Sequence, residues 1–224
     1  MSFIIYFALI FIIPLWAQSK VKSTYKKYSQ VPTSSSMSGA EVARKILNDN
    51  GLFNVAVEEV RGHLTDHYDP RAKVIRLSSD IYHGRSTAGA AVAAHEVGHA
   101  IQDAQDYAFL RFRSALVPVA SFGSNISIFL LIGGMLLQMT GLILVGIVFF
   151  AAAVLFQLVT LPVEFDASNR AMAQLVSTGV IRNDEERKTK KVLNAAAMTY
   201  VAGALVALAE LLRFVFMFIG MNEE

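Results

Sequence analysis

The stretch AAVAAHEVGHAIQ, residues 90–102, places His95, Glu96 and His99 in the spacing H-E-x-x-H. A helix repeats every 3.6 residues, so side chains four apart share a face and both imidazoles can grip one ion. Glu96 then stands beside that ion, where a carboxylate serves as general base for a hydrolytic water. Two histidines do not complete a hydrolytic zinc site, which normally takes three protein ligands and keeps a fourth position open.

A third ligand has two possible sources. A histidine at the metzincin spacing would fall at position 105, which is Gln105, and position 102 is Gln102 rather than glycine. The other source is a glutamate on a separate helix, and Glu164 in LPVEFDASNRA, residues 161–171, fits. It lies where a long apolar run ends, and a carboxylate at such a place is costly unless a cation partners it. The chain has no cysteine, so any metal here is held by histidine and carboxylate.

The elements that must position these residues belong to a membrane protein. Mean hydropathy is +0.45 and only 17% of residues are charged, which sets the chain apart from soluble domains. Four runs are apolar enough to cross a bilayer: residues 2–17, which is short and carries Pro14, 116–137, 142–163 and 195–219. The second and third, joined by the short QMTG turn, should form an antiparallel hairpin. Lys20, Lys22, Lys26 and Lys27, then Arg111 and Arg113, then Arg182, Arg187, Lys188, Lys190 and Lys191 all flank one side of these runs. The other side carries no Lys or Arg, only the N-terminus, QMTG and the tail MNEE. The positive-inside rule then puts both termini outside the plasma membrane, with residues 18–115 and 164–192 in the cytoplasm. A net charge of +2 argues against nucleic acid as a partner.

The expected organisation is therefore an anchor (1–17), a cytoplasmic α+β region (18–115), a membrane hairpin (116–163), a cytoplasmic helical segment carrying Glu164 (164–192), and a last span with its tail (193–224). Within 18–115, SQVPTSSSMSG reads as a flexible serine-rich linker. Ser38 with Glu41 makes a capping box for a helix that stops at Gly51. FNVAVEEV and KVIRLS read as strands, joined through HLTDHYDPRA with a turn at Asp69-Pro70. KVIRLS is a candidate edge for pairing with an extended peptide. The motif helix should begin near Ser86 or Thr87 and run past Tyr107, and a second capping box, Asn183 with Glu186, should open the last helix.

AAVAAHEVGHAIQ, LRFRSALVPVAS and LPVEFDASNRA, set among four spans, resemble the YugP-like membrane zinc metallopeptidases across nearly the whole chain. They are more distantly similar to the HtpX and CaaX-prenyl-protease group of gluzincins. The resemblance implies a zincin-like domain, a Zn2+ cofactor held by His95, His99 and Glu164, and hydrolysis of peptide or protein substrates at a membrane with Glu96 as base. The wider group carries an E-F-x-A-D motif, whose Asp falls here at Ser168. Asp166, Ser168 and Asp103 are the substitutes for that missing support. Asn169, Arg170, Tyr107 and His83 are the candidate donors to an oxyanion.

The bland readings stand beside these. His63, His67 and His83 fit surface or turn positions, and Glu210 with Arg213, three apart, fits a mutual helical pair. The competing functional class is a noncatalytic membrane scaffold with a structural zinc, which would show a closed four-ligand site.

Overall fold

The computed structural model describes the backbone of residues 3–222 and the side chains of residues 6–221. Its elements run α1 (Phe3–Tyr28), α2 (Gly39–Asp49), β1 (Ala56–Val60), β2 (His67–Asp69), β3 (Val74–Ser78), α3 (Ser79–His83), α4 (Thr87–Ala104), α5 (Ala108–Leu136), α6 (Thr140–Ser177) and α7 (Asn183–Asn222). The chain divides into two compact units.

One unit comprises residues 15–107 and 163–199. It holds the three-stranded sheet, ordered β1-β3-β2, with β1 parallel and β2 antiparallel to β3. Every residue of β3 but Arg76 is buried, as a strand paired on both sides requires. KVIRLS is thus the central strand, so it has no free edge, and the expectation of peptide pairing on it is corrected. β2 arises inside HLTDHYDPRA, which was expected only to connect. Beyond it, Asp69 accepts from the backbone of Arg71 and Ala72 and closes the expected turn.

The core of this unit packs Val42, Ile46 and Leu47 of α2 against Ile75 and Leu77 of β3. Val97 and Ile101 of α4 join them, with Leu175 and Val180 from the chain around the end of α6. Burying each such side chain contributes roughly 1.5–3 kcal/mol. Ser38 caps α2 as expected: its side chain accepts from the Glu41 backbone, and the Glu41 carboxylate accepts from the Ser38 backbone. The α7 cap lies one residue earlier than expected, with Arg182 as the capping position and the Glu185 carboxylate accepting its N–H at 2.8 Å. The same Glu185 accepts from Ser34, at 2.9 Å from its N and 2.6 Å from its Oγ. Around Ser34, Pro32 bridges Ser86, Thr33 donates to Arg85, and Thr33 is buried. The serine-rich stretch is consequently a pinned strap, which corrects its reading as a flexible linker.

The other unit comprises residues 1–14, 108–162 and 200–224. Its long apolar helices leave large side chains exposed, among them Phe122, Phe129, Leu136, Val148 and Phe216. Water would penalise such a surface, whereas lipid does not. Among the described residues, α5, α6 and residues 183–221 of α7 are long and apolar enough to cross a membrane. The run expected to form the first span begins at Ser2 and so lies partly outside the described residues. α5 and α6 turn back on each other through Gln138 at φ 56°. At Gly134 a side chain would collide with Ile143, so the two helices meet without a Cβ between them. In α7, Arg213 pairs with Glu210 at 2.9 Å, and Tyr6 also donates to that carboxylate.

Candidate metal centre

α4 starts where Ser86 accepts from the Gly89 backbone, and it is almost wholly buried, half of its residues being alanine or glycine. It ends at Ala104 rather than past Tyr107. Asp106 takes a left-handed conformation, φ 51°, and Tyr107 turns back to donate to the Gln102 carbonyl. Small residues let another backbone come close: a Cβ on Gly98 would lie 2.5 Å from the Ala167 carbonyl oxygen. That near-contact of α4 with α6 sits one turn from Glu164 on one strand of the crossing and beside His95 and His99 on the other.

The consequence is convergence of three side chains separated by up to 69 positions in sequence. His95 Nε2 lies 3.3 Å and His99 Nε2 3.7 Å from Glu164 Oε2, and one ligand atom from each residue falls within 4.8 Å of the others. A tetrahedral centre with bonds of about 2.1 Å spaces its ligand atoms about 3.4 Å apart, so the set fits zinc. The two imidazoles meet edge to face, centroids 4.8 Å apart, as rings aimed at a common point do. Glu164 is 2% exposed, and a carboxylate so enclosed needs positive charge nearby. Burial opposes a charged His99, but the Glu164 carboxylate and the Glu96 charge outweigh it and raise its pKa above the usual histidine value. Glu96 is buried on α4 between the two histidines in sequence.

The supporting residues sort clearly. Ser168, one of the three candidate supporting residues, lies 3.2 Å from His95 Nδ1. Asp166 binds Gln102 at 2.7 Å and Arg170 at 2.5 Å. Asp103 is engaged by Lys73 at 2.5 Å and Tyr68 at 2.7 Å. Of the candidate oxyanion donors, Arg170 is also tied to Gln105 at 2.6 Å and lies over the Tyr107 ring. His83 pairs with Glu59 at 3.2 Å, and His63 with Asp80. Asn169 is exposed and lines a cavity of about 600 Å³ that begins at Ser168 and extends past Arg187, Lys190 and Asn194. Sequence reasoning missed Gln102, which is fully buried and bonds His99 Nδ1 at 3.0 Å. Its position three residues after His99, one helical turn away, was the available signal.

Two histidines on one buried helix and a glutamate from another, close enough to hold one ion, form the kind of donor set a metallopeptidase would carry. Residues 3–219 match the family described as "Putative neutral zinc metallopeptidase", and the chain belongs to it. The family's metal is zinc, in agreement with the donor set. The chain is also 56% identical over 209 residues, 93% of each protein, to the "Putative membrane protease YugP" of Bacillus subtilis (strain 168). No solved structure matches the chain significantly.

Proposed function

We propose that this protein is an integral-membrane zinc endopeptidase of gluzincin type, with His95, His99 and Glu164 as metal ligands and Glu96 as general base. The observation that carries the reading is the convergence of those three ligands from α4 and α6. Bound there, zinc supplies a Lewis acid that polarises a carbonyl and makes water a nucleophile near neutral pH. Glu96 takes a proton from the attacking water and delivers it to the departing amine nitrogen as the C–N bond breaks. Ser168 orients His95. Asn169, exposed and lining the cavity beside Ser168, is the candidate donor to a developing oxyanion, with Arg170 and His83 engaged by other partners.

Among the described residues the ligand cluster has three members, which leaves a position for water and favours catalysis over a structural zinc. The cavity at Ser168 is lined by two cations, Arg187 and Lys190, against one carboxylate, Glu186, a net positive lining that suits a peptide carrying an acidic group. In this reading α1 is the fourth span and the small α+β unit is zincin-like, and the basic flanks support an active site on the cytoplasmic face with both termini outside.

The test is the purified protein in detergent, with zinc measured by mass spectrometry and cleavage by release of label from a fluorescent protein substrate. Glu96→Gln should keep its zinc and lose at least 100-fold in cleavage rate. Full activity in that variant would remove Glu96 from the reaction, and a wild type without zinc would overturn the whole reading.

A further inference from the structure

The Gln102 amide touches both metal-bearing helices. Its Oε1 faces His99 Nδ1 at 3.0 Å, while its Nε2 donates to the Val163 carbonyl at 2.8 Å and to Asp166 Oδ2 at 2.7 Å. Those last two partners can only accept, so chemistry fixes which end of the amide is which. A flipped amide would set its oxygen against a carbonyl and a carboxylate. With Oε1 held toward the ring, His99 Nδ1 must carry the hydrogen, and the lone pair is left on Nε2. Nε2 is the atom that faces Glu164. Asp166 is itself anchored by the Arg170 Nε at 2.5 Å, and Arg170 is fastened to Gln105. The order Arg170, Asp166, Gln102, His99 therefore alternates donors and acceptors without a break.

We propose that Gln102 is a positioning residue that fixes the tautomer and orientation of His99 and locks α4 to α6 at the residue preceding Glu164. The inference rests on reading His95, His99 and Glu164 as the zinc ligands. Partners of metal-bound histidines typically account for 10–100-fold in metal affinity.

The experiment measures zinc affinity by competition with a fluorescent chelator and records the visible spectrum of the cobalt-substituted protein. Thermal unfolding of each variant is followed alongside. Gln102→Met fills the same volume without hydrogen bonds and should bind zinc 10–100-fold more weakly with an altered cobalt spectrum, as should Gln102→Ala. Gln102→Glu sets two carboxylates together and should weaken zinc similarly. Wild-type affinity in both the Met and Ala variants would overturn the positioning role, and an unchanged cobalt spectrum in both would overturn the fixing of the His99 tautomer. A wild type that binds no zinc would overturn the metal reading first, and this inference with it.

Discussion

Gly98→Ala should loosen the metal centre without touching a ligand. The added Cβ would sit 2.5 Å from the Ala167 carbonyl oxygen and 3.1 Å from that residue's C and Cα. Ordinary contact begins near 3.4 Å, so the α4 and α6 backbones must part locally by about 0.9 Å. Helical backbone cannot swing aside as a flexible side chain would. Metal–ligand distances tolerate only about 0.2 Å, and the displacement falls between the helix of the two histidines and the helix of Glu164. Overpacking costs roughly 1–3 kcal/mol, whereas exchanging glycine for alanine in a helix returns about 1 kcal/mol. Stability should therefore fall by only about 0–2 kcal/mol, while zinc affinity should fall at least tenfold. Chelator competition on detergent-purified protein reads the second quantity directly. A Gly98→Ala protein with wild-type zinc affinity would refute the claim that this close crossing sets the ligand geometry.

Glu164→Ala should leave the histidines in place yet strip most of the zinc, and unchanged stoichiometry by mass spectrometry would place the third ligand elsewhere. Ser38→Ala should lower stability by about 1 kcal/mol through loss of the α2 cap, measured by thermal unfolding. The Ser38 backbone hydrogen bond holds the Glu41 pKa below its usual value of 4.5. That contribution is present above pH 4.5 and is lost as pH falls through the lower folded-state pKa, so Glu41→Gln should flatten the acid limb of the stability profile. Charge reversal at Lys190 should raise KM for acidic peptides more than for basic ones, and equal effects on both would remove the cavity at Ser168 from substrate binding.

The three residues of the candidate metal cluster were legible in the sequence because a motif with helical spacing and a carboxylate at the end of an apolar run each signal an energetic need. The capping box at Ser38 and the apolar helices were legible for the same reason: local pattern dictates local structure. What escaped depended on distant partners. β2 is only three residues long and polar, and it exists because His67, Tyr68 and Asp69 find Arg76, Ile75 and Val74 across the ladder. KVIRLS gives no sign from its own residues that it is flanked on both sides. Gln102 invited comparison only with the glycine of another zinc-peptidase pattern, and its partners Val163 and Asp166 lie more than 60 positions away. Composition misread the serine-rich strap as well, since short polar side chains suit a free tether and a hydrogen-bonded one equally.

That strap gives the molecule something its amino-acid inventory otherwise withholds. With Pro32 bridged to Ser86 and Ser34 clasped by Glu185, it ties the segment just before α4 to the first turn of α7 by hydrogen bonds alone. A protein without cysteine thereby acquires a cross-link that reducing and oxidising surroundings leave equally intact, and one that acid, by neutralising a single carboxylate, can undo.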